Sequence, residues 1–364
     1  MAYFSCTIDG VVAPASTVRL SEGYNEGWTV TAYIPRAIVN AASAVTMQVN
    51  DGTHALTLTL TSEKLAEDGY GVEVSFRDSA TRRLSHSTYD GSTLHCISAD
   101  TALARICTAS SVGYTGNTGF GNIHYAATDE QNSLSLLTDL LDTCAAYYRS
   151  NGQTVTVQAA QATANCTLEM AAISRTVTHE GLISRLYLNK VTPCDIVASG
   201  RDKITFAEEV RIAYCLEKSH ISRNLSADVP LSGYNSKRIC ENINELKALS
   251  NYKMHVVGIS ARSCPSGYSP SFTRYYDNTT GNLIKYTNRT STIWATKEQA
   301  TARASYYLWL ENRDFKTATY TIPLNLAVRA GDVVADGESN YRVTAVTHSL
   351  SINEATTEVE ASAI

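Results

Sequence analysis

The stretch from residue 296 to the C-terminus constrains the fold most, because a helical pattern there changes into a strand pattern. Thr296 and Gln299 have the spacing of a capping box, in which each side chain satisfies a backbone N–H group at the start of a helix. Apolar residues then recur with the helical period, at Ala300, Ala304, Tyr307 and Leu308. After Arg313 and Asp314 the period becomes two, which predicts one helix followed by several strands.

The longest of these strands changes its apolar phase partway along. Tyr341, Val343 and Ala345 share one parity, whereas Val346 and Leu350 share the other. A one-residue slip moves side chains to the opposite face of a sheet, so this change predicts a β-bulge or a sharp bend near Ala345 and Val346. Long, bent strands of this kind favour a small barrel.

A glycine turn precedes that strand, and a regular strand follows it. In Ala330-Gly331-Asp332, the glycine can adopt the positive φ that such a turn needs. In the final strand, Glu358 and Glu360 alternate with apolar residues, so one face is predicted to point inward and the other toward solvent.

The N-terminal residues, 1 to about 95, have strand patterns throughout. Trp28, Val30 and Ala32 alternate with polar neighbours, and residues 50–52, Asn-Asp-Gly, give a hairpin signal. Five or six short strands within this length predict a first β-barrel or sandwich at 1–95.

The next region, 96–172, mixes helix and strand. Its clearest helix has an apolar stripe at Leu137, Leu140, Leu141, Cys144 and Tyr148, and we expect it to end at residues 151–152, Asn-Gly. The Gly-, Asn- and Thr-rich residues 114–122 resemble a phosphate-binding loop in composition. No Lys-Ser/Thr pair closes them, so a long surface loop is predicted.

Strand patterns return at 173–204 and again at 313–364, around a mixed segment at 205–312. Neither β part has enough strands to bury a face alone, so we expect the two parts to form one split barrel interrupted by an α+β insert. Within the insert, residues 239–249 have a helical pattern, and residues 275–286 have the pattern of a hairpin. The predicted fold class is therefore mixed and β-rich (α+β), with two small β-barrel domains and α+β insertions.

Composition and charge exclude several classes of protein. The 364 residues carry a net charge of −5 without a Lys/Arg run, which argues against a broad nucleic-acid-binding surface. The chain has no secretory signal pattern and no apolar stretch of membrane-spanning length. Its nine cysteines lack the paired spacing of zinc or iron–sulfur ligands and are expected to be reduced core thiols.

Catalytic, metal and cofactor motifs give no positive signal. The eight histidines form no His-x-x-x-His pair, and there is no Gly-x-Ser-x-Gly elbow, Walker loop or dinucleotide fingerprint. His348 is in phase with the apolar Val346 and Leu350, so a packed, hydrogen-bonded core histidine is predicted there rather than a base. We therefore expect no cofactor and no enzymatic activity, although a site assembled from distant residues remains open.

The chain resembles the baseplate or tail hub proteins of tailed bacteriophages, a family that also covers part of the type VI secretion spike. The resemblance rests on the order of barrel, α+β insert and split barrel, and on the C-terminal stretch. There the helix at 300–304 is followed by the Gly-Asp turn and by a Val-x-x-Val-x-His strand, in which Ala330 stands where proline is commoner. The residues that match the family's structural motif are Gly331, Asp332, Val343 and His348.

This resemblance implies a homotrimer. Two similar barrels in each chain would give six in the ring, which matches a hexameric tail tube or distal tail protein on one face. The other face would carry a central spike, fibre or tape-measure protein, and DNA would pass through the lumen without specific binding. The implied location is the tail tip or baseplate of a virion, assembled in the host cytoplasm, with no membrane insertion by this chain.

Two other functions remain open. A carbohydrate-binding or adhesin-type β protein would stack sugars on exposed tyrosines, and Tyr275-Tyr276-Asp277 resembles a repeat of cell-surface shells in a single copy. A peptidoglycan-degrading tail enzyme would need a nucleophile or a metal motif, which the sequence lacks.

Overall fold

A computed structural model describes most of the chain. The described residues are 5–12, 17–34, 44–90, 94–124, 130–168, 173–178, 182–190, 192–198, 214–215, 256–261, 272–277, 286–291, 293–337, 339–351 and 355–364. Residues 179–181, which the strand patterns on either side predict to be a hairpin turn, lie outside these residues. The expected helix at 239–249 and most of the predicted insert also lie outside them.

The N-terminal region consists of strands whose apolar residues alternate as expected. Trp28, Val30 and Ala32 are all buried, and Gly52 has φ +91° in the predicted hairpin turn. The strands are β1 Ser5–Ile8, β2 Val11–Val12, β3 Thr17–Gly23, β4 Gly27–Ile34, β5 Ala44–Asn50, β6 Ala55–Glu67 and β7 Val72–Asp78.

A mixed α+β unit follows. Its elements are α1 Ser79–Ser85, β8 Thr88–Asp90, β9 His95–Ser98, α2 Ala99–Ala109, β10 Gly113–Asn117, β11 Asn122–His124, β12 Glu130–Asn132, α3 Ser133–Cys144, β13 Ala146–Ser150 and β14 Thr154–Ala159. The expected end of α3 at residues 151–152 is wrong. Ala145 is left-handed (φ 54°) and ends the helix, and Tyr148 is a buried strand residue instead. Asn151 and Gly152 form the turn between β13 and β14.

The predicted surface loop at 114–122 is also partly wrong. Residues 113–117 form β10, which pairs in parallel with β14. Phe120 is buried, and the Gln299 amide donates to the carbonyls of Phe120 and Asn122. Distant partners therefore hold a segment that has no apolar period of its own.

The remaining described elements lie between residues 174 and 363. They are β15 Ser174–Val177, β16 Arg185–Lys190, β17 Thr192–Ala198, β18 Tyr214–Cys215, β19 Val256–Ala261, β20 Phe272–Asp277, β21 Tyr286–Ser291, α4 Lys297–Ala302, α5 Ala304–Asn312, β22 Lys316–Pro323, β23 Val333–Asp336, β24 Ser339–Ser351 and β25 Ala355–Ala363. The expected hairpin at 275–286 is wrong, because β20 and β21 both pair with β16, which lies between them.

The main sheet contains strands from both ends of the chain. Its twelve strands run in the order β15-β22-β25-β24-β3-β4-β7-β6-β5-β1-β2, and β23 also pairs with β24. The predicted β-rich, mixed α+β class is confirmed. Within the described residues, however, the strands expected to form two barrels form one continuous open sheet, because β24 pairs with β3 across the boundary between them.

The two halves of this sheet repeat the same strand order. In the first half the order is β3-β4-β7-β6-β5, and in the second half it is β15-β22-β25-β24-β23, with antiparallel pairing at every step. β6 and β24 are both 13 residues long, and each carries a bulge in its pairing with the next strand. Each half is therefore the topological counterpart of the other.

Three apolar clusters lie inside the part of the chain that the structure describes. One lies under the first half of the sheet, a second lies under the second half, and the third joins the α+β unit to α4 and α5. No helix among the described residues has the length and apolar character needed to cross a membrane.

Candidate functional site

Three of the four predicted motif residues lie together where the turn before β23 contacts β24. The Gly331 amide donates to the Val343 carbonyl at 2.9 Å, and the Val343 amide donates to the Asp332 carbonyl at 2.8 Å. His348 is separate from them, farther along β24, where that strand pairs with β3.

Gly331 is required at this turn for two reasons. Its φ is +88°, which favours glycine, and a Cβ atom there would lie 2.2 Å from the Tyr147 ring. The turn therefore packs its backbone directly against β13 of the α+β unit.

Asp332 ties three parts of the chain together at this turn. Its carboxylate accepts from the Arg149 guanidinium at 2.9 Å, from the Asn165 amide at 3.3 Å and from the Arg329 backbone N–H at 2.9 Å. The side chain of Asn165 in turn accepts from the Val333 N–H at 2.7 Å. The ion pair is largely buried, so the attraction between its charges is screened less than on an open surface.

A second ion pair joins the two halves of the sheet. Glu22 in β3 is 2% exposed and accepts from Arg329 at two points, with Nε 2.7 Å from Oε2 and Nη2 2.5 Å from Oε1. The Arg329 guanidinium also lies over the Trp28 ring, 4.9 Å from its centroid. A bidentate pair of this geometry fixes the orientation of both groups.

His348 lies in the core beside Trp28, which Arg329 also contacts. Its ring is fully buried, lies 6.1 Å from the Trp28 ring, and is hydrogen-bonded through Nδ1 to the Thr357 hydroxyl at 2.9 Å. Burial, together with the charge of Arg329, lowers the pKa of His348 to about 4. The imidazole is therefore neutral at pH 7 and is a core residue, as its place in the strand predicts.

Arg342 connects β24 to α5. It is 2% exposed, donates through Nη2 to the Gln161 carbonyl at 2.7 Å, and lies 4.2 Å from the Trp309 ring centroid. Tyr306 and Tyr24 belong to the same aromatic cluster, with their hydroxyls 3.1 Å apart. The Nε and Nη1 atoms of Arg342 have no hydrogen-bond partner among the described residues, so contact with the aromatic ring faces is the main compensation for this buried charge.

We call these residues the turn junction. Its members are Glu22, Arg149, Asn165, Arg329, Gly331, Asp332, Arg342 and Val343. Gly331, Asp332 and Val343 are expected from the sequence, whereas the other five members are not. One signal was present for Glu22, which shares the parity of the apolar Val18 and Leu20 and is therefore an acid on the inward face.

The chemistry of the turn junction is that of a clamp. Each carboxylate accepts from a guanidinium and from backbone N–H groups, so neither is available as a base. Among the described residues, no group of His, Cys, Asp and Glu has the arrangement of a metal site. Burial raises the pKa of the Cys107 thiol to about 12 and that of the Cys166 thiol to about 11, so these thiols stay protonated and poorly nucleophilic at pH 7.

One pocket does place an acid beside a histidine. It has a volume of about 320 Å³ and is lined in part by Asp51, Thr53 and His54. The Asp51 carboxylate already accepts from the backbone N–H groups of Thr53, His54 and Leu326. Burial alone would raise the pKa of Asp51, but these donors hold it below its usual value. This carboxylate therefore holds a turn against the second half of the sheet.

Comparison with known proteins gives likeness in structure only. No family model and no curated protein matches the sequence. The 43 kDa tail protein of prophage MuSo2 from Shewanella oneidensis superposes with a TM-score of 0.58 at 11% identity, covering 98% of this chain and 97% of that one. The tail protein from Neisseria meningitidis MC58 gives 0.61 at 9% identity, covering 99% and 96%.

A third solved structure agrees with these two. Prophage tail protein gp18 from Listeria monocytogenes EGD-e gives a TM-score of 0.52 at 10% identity, covering 95% of this chain and 88% of that one. The likeness spans nearly the whole length of each pair and therefore includes both halves of the sheet and the α+β unit. The chain has the fold of phage and prophage tail proteins.

Proposed function

We propose that this chain is a structural virion protein, the tail or baseplate hub of a tailed phage or prophage, which assembles as a homotrimeric ring. The observation that carries the proposal is the full-length likeness in fold to two prophage or bacterial tail proteins. In this role the chain works by shape-complementary binding and not as an enzyme, and it needs no cofactor.

The repeated strand order supports a ring with pseudo-sixfold symmetry. Each chain contributes two five-strand units of the same topology, β3-β4-β7-β6-β5 and β15-β22-β25-β24-β23. Three chains would present six such units, one for each subunit of a hexameric tail tube or distal tail protein above. The two units lie within the proposed domains, which are 1–95 and 173–204 plus 313–364, with 96–172 and 205–312 as the proposed insertions. Of the segment 173–204, β15 belongs to the second unit, whereas β16 and β17 pair with strands of the insert.

The turn junction supports a structural role. A ring that transmits force between a tube and a central spike, fibre or tape-measure protein needs its two sheet halves to move as one body. The Glu22–Arg329 pair and the Arg149–Asp332 pair link these halves to each other and to the α+β unit. DNA would cross the lumen without specific binding, because the net charge of −5 disfavours contact with phosphates.

Light scattering on the purified full chain tests the proposal. A ring gives a mass three times the 39.5 kDa of one chain, and class averages in negative-stain electron microscopy show threefold particles with six peripheral lobes. Addition of a hexameric tail-tube protein from the same genome should produce a stacked complex. A folded monomer at every concentration, without affinity for any tail protein of that genome, would contradict the proposal.

A further inference from the structure

The two five-strand units differ in what covers their edges. β3 pairs with β4 on one side and with the second part of β24 on the other. Its counterpart β15 pairs with β22, and no other described strand lies beside it. The counterpart of that part of β24 is the end of β6, from Lys64 to Ala66, and on the side away from β7 no described strand pairs with it. Both strands of the β3–β24 pairing therefore have a counterpart, β15 and the end of β6, but among the described residues these two counterparts do not pair with each other.

The bulges give the residue-by-residue correspondence between β6 and β24. The bulge lies between Ser62 and Lys64 in β6, and between Val343 and Ala345 in β24. Counting from it, Leu65 corresponds to Val346, Ala66 to Thr347 and Glu67 to His348. The pairing with the neighbouring strands β7 and β25 agrees with this correspondence, since Leu65 pairs with Val74 and Val346 pairs with Val359.

The same counting relates β15 to β3. Through their neighbours β22 and β4, Arg175 takes the place of Leu20 and Thr176 that of Ser21. By the same register Val177 takes the place of Glu22, and Ile173, just before the strand, takes that of Val18.

Burial of these positions differs sharply between the two units. Val18 is 1% exposed and Glu22 is 2% exposed, whereas their counterparts Ile173 and Val177 are 63% and 53% exposed. Two large aliphatic side chains at the rim of a sheet, in positions that are core in the equivalent unit, indicate a surface that another strand covers.

We infer that β15 of one copy pairs antiparallel with the end of β6 of the next copy, in the register that joins β3 to β24 within one chain. The partner is a second copy of this chain, because the required complement of β15 is present in the chain itself. The contact joins two different surfaces, and such a head-to-tail contact closes a three-membered ring when successive copies are related by a rotation of one third of a turn. This inference rests on the proposed function and specifies how its subunits meet.

The register places complementary side chains opposite each other. Leu65 meets Val177 of the next copy, an apolar pair, and Glu67 meets Arg175, an opposite-charge pair. Within one chain Arg175 already forms an ion pair with Asp336, which holds β15 against the sheet in position for this contact. Three contacts between chains and three β3–β24 junctions within chains then give six equivalent joints.

Cysteine pairs test the register directly. Ser21 and Thr347 are opposite each other in the intrachain joint, with Oγ and Oγ1 3.0 Å apart, and their counterparts are Thr176 and Ala66. The double variant Ala66→Cys/Thr176→Cys should therefore form disulfides between chains and give a covalent trimer on a non-reducing gel. Ser21→Cys/Thr347→Cys sets the oxidation conditions, because it should give a disulfide within one chain.

A shifted pair is the matched control. Ala66→Cys/Ser174→Cys keeps both thiols on the same sheet face but moves one by two residues along β15, so it should give little covalent trimer. A trimer by light scattering that fails to cross-link through positions 66 and 176, or that cross-links equally in the shifted pair, would overturn the inference and leave the proposed function intact. A protein that stays monomeric would overturn both.

A charge swap provides a second readout. Glu67→Lys or Arg175→Glu alone should raise the protein concentration needed for half-assembly, and the double swap should restore it. Arg175→Glu also removes the ion pair with Asp336, so the decisive result is that the double variant restores assembly. Additive weakening in the double variant would show that the two residues do not face each other across copies.

Discussion

Glu22 and Arg329 form a two-point ion pair in the core, although 307 positions separate them in the sequence. The pair lies where β3 meets the turn before β23, and the Ala330 N–H also donates to Glu22 at 3.1 Å. Because Glu22 is 2% exposed, loss of either partner leaves a charge or donors without compensation inside the protein.

Glu22→Gln should therefore lower the free energy of unfolding by about 3 kcal/mol at pH 7, since breaking a buried pair strands the remaining charge. Urea unfolding followed by circular dichroism measures this loss. Glu358→Gln on the exposed face of β25 is the matched control and should change stability by less than about 0.5 kcal/mol. Equal urea midpoints for the two variants would show that the Glu22 pair adds nothing.

Gly331→Ala should destabilise the protein by about 2 kcal/mol or more, because alanine at φ +88° is strained and its Cβ meets the Tyr147 ring. Gly337→Ala is the control, since Gly337 also has a positive φ (+65°) but has no atom within 4 Å of a Cβ built there. Thermal unfolding of both variants separates the effect of backbone strain at a positive φ from that of the contact with the Tyr147 ring. A loss as large for Gly337→Ala would remove Tyr147 from the explanation.

The burial of His348 makes stability depend on pH. Its pKa is about 4 in the folded chain and 6.5 for an exposed histidine, so the unfolded chain binds a proton first as the pH falls. Stability from this residue is complete above pH 6.5 and is lost progressively toward pH 4, by roughly 3 kcal/mol in total at 1.36 kcal/mol per pKa unit.

Urea unfolding at several pH values between 7 and 4.5 tests this dependence. His348→Gln removes the titrating group, so its curve of stability against pH should be flatter than that of the original chain over this range. The difference between the two curves isolates His348 from carboxylates that titrate lower. Parallel curves would mean that His348 is accessible to protons in the folded state.

Arg342 offers a test of charge against packing. Arg342→Met keeps an unbranched chain among Trp309, Tyr306 and Tyr24 and removes a buried cation with two uncompensated nitrogens, so it should cost less than about 1 kcal/mol. Arg342→Ala leaves a cavity and should cost about 3 kcal/mol. Chemical unfolding of both variants distinguishes the contribution of the buried charge from that of side-chain packing. Equal losses would assign the stabilisation to the cation and not to packing.

Local features of this fold follow from the sequence where neighbouring residues determine them. The Thr296–Gln299 capping box forms with both hydrogen bonds, at 3.2 and 3.1 Å. The bulge in β24 lies at Thr344, one residue from the predicted place, because the slip in apolar phase records which residue leaves the register.

Features that depend on distant partners could not be predicted in this way. The helix pattern gave no sign of the break at Arg303, whose guanidinium donates to the carbonyls of Cys144 and Gly119. The charges of the turn junction likewise satisfy one another only after β3, β13 and β24 have come together. Periodicity describes which face a residue occupies, and it contains no information about which strand lies beside it.

The β3–β24 pairing also has a consequence for synthesis on the ribosome. The strands of the first half emerge early, but their edge at β3 is covered only after residue 351 has left the exit tunnel. At bacterial elongation speeds of about 5–20 residues per second, this delay is roughly 15–65 s. A nascent or prematurely terminated polypeptide therefore displays an open strand throughout that interval, and we expect it to need a chaperone or to be degraded.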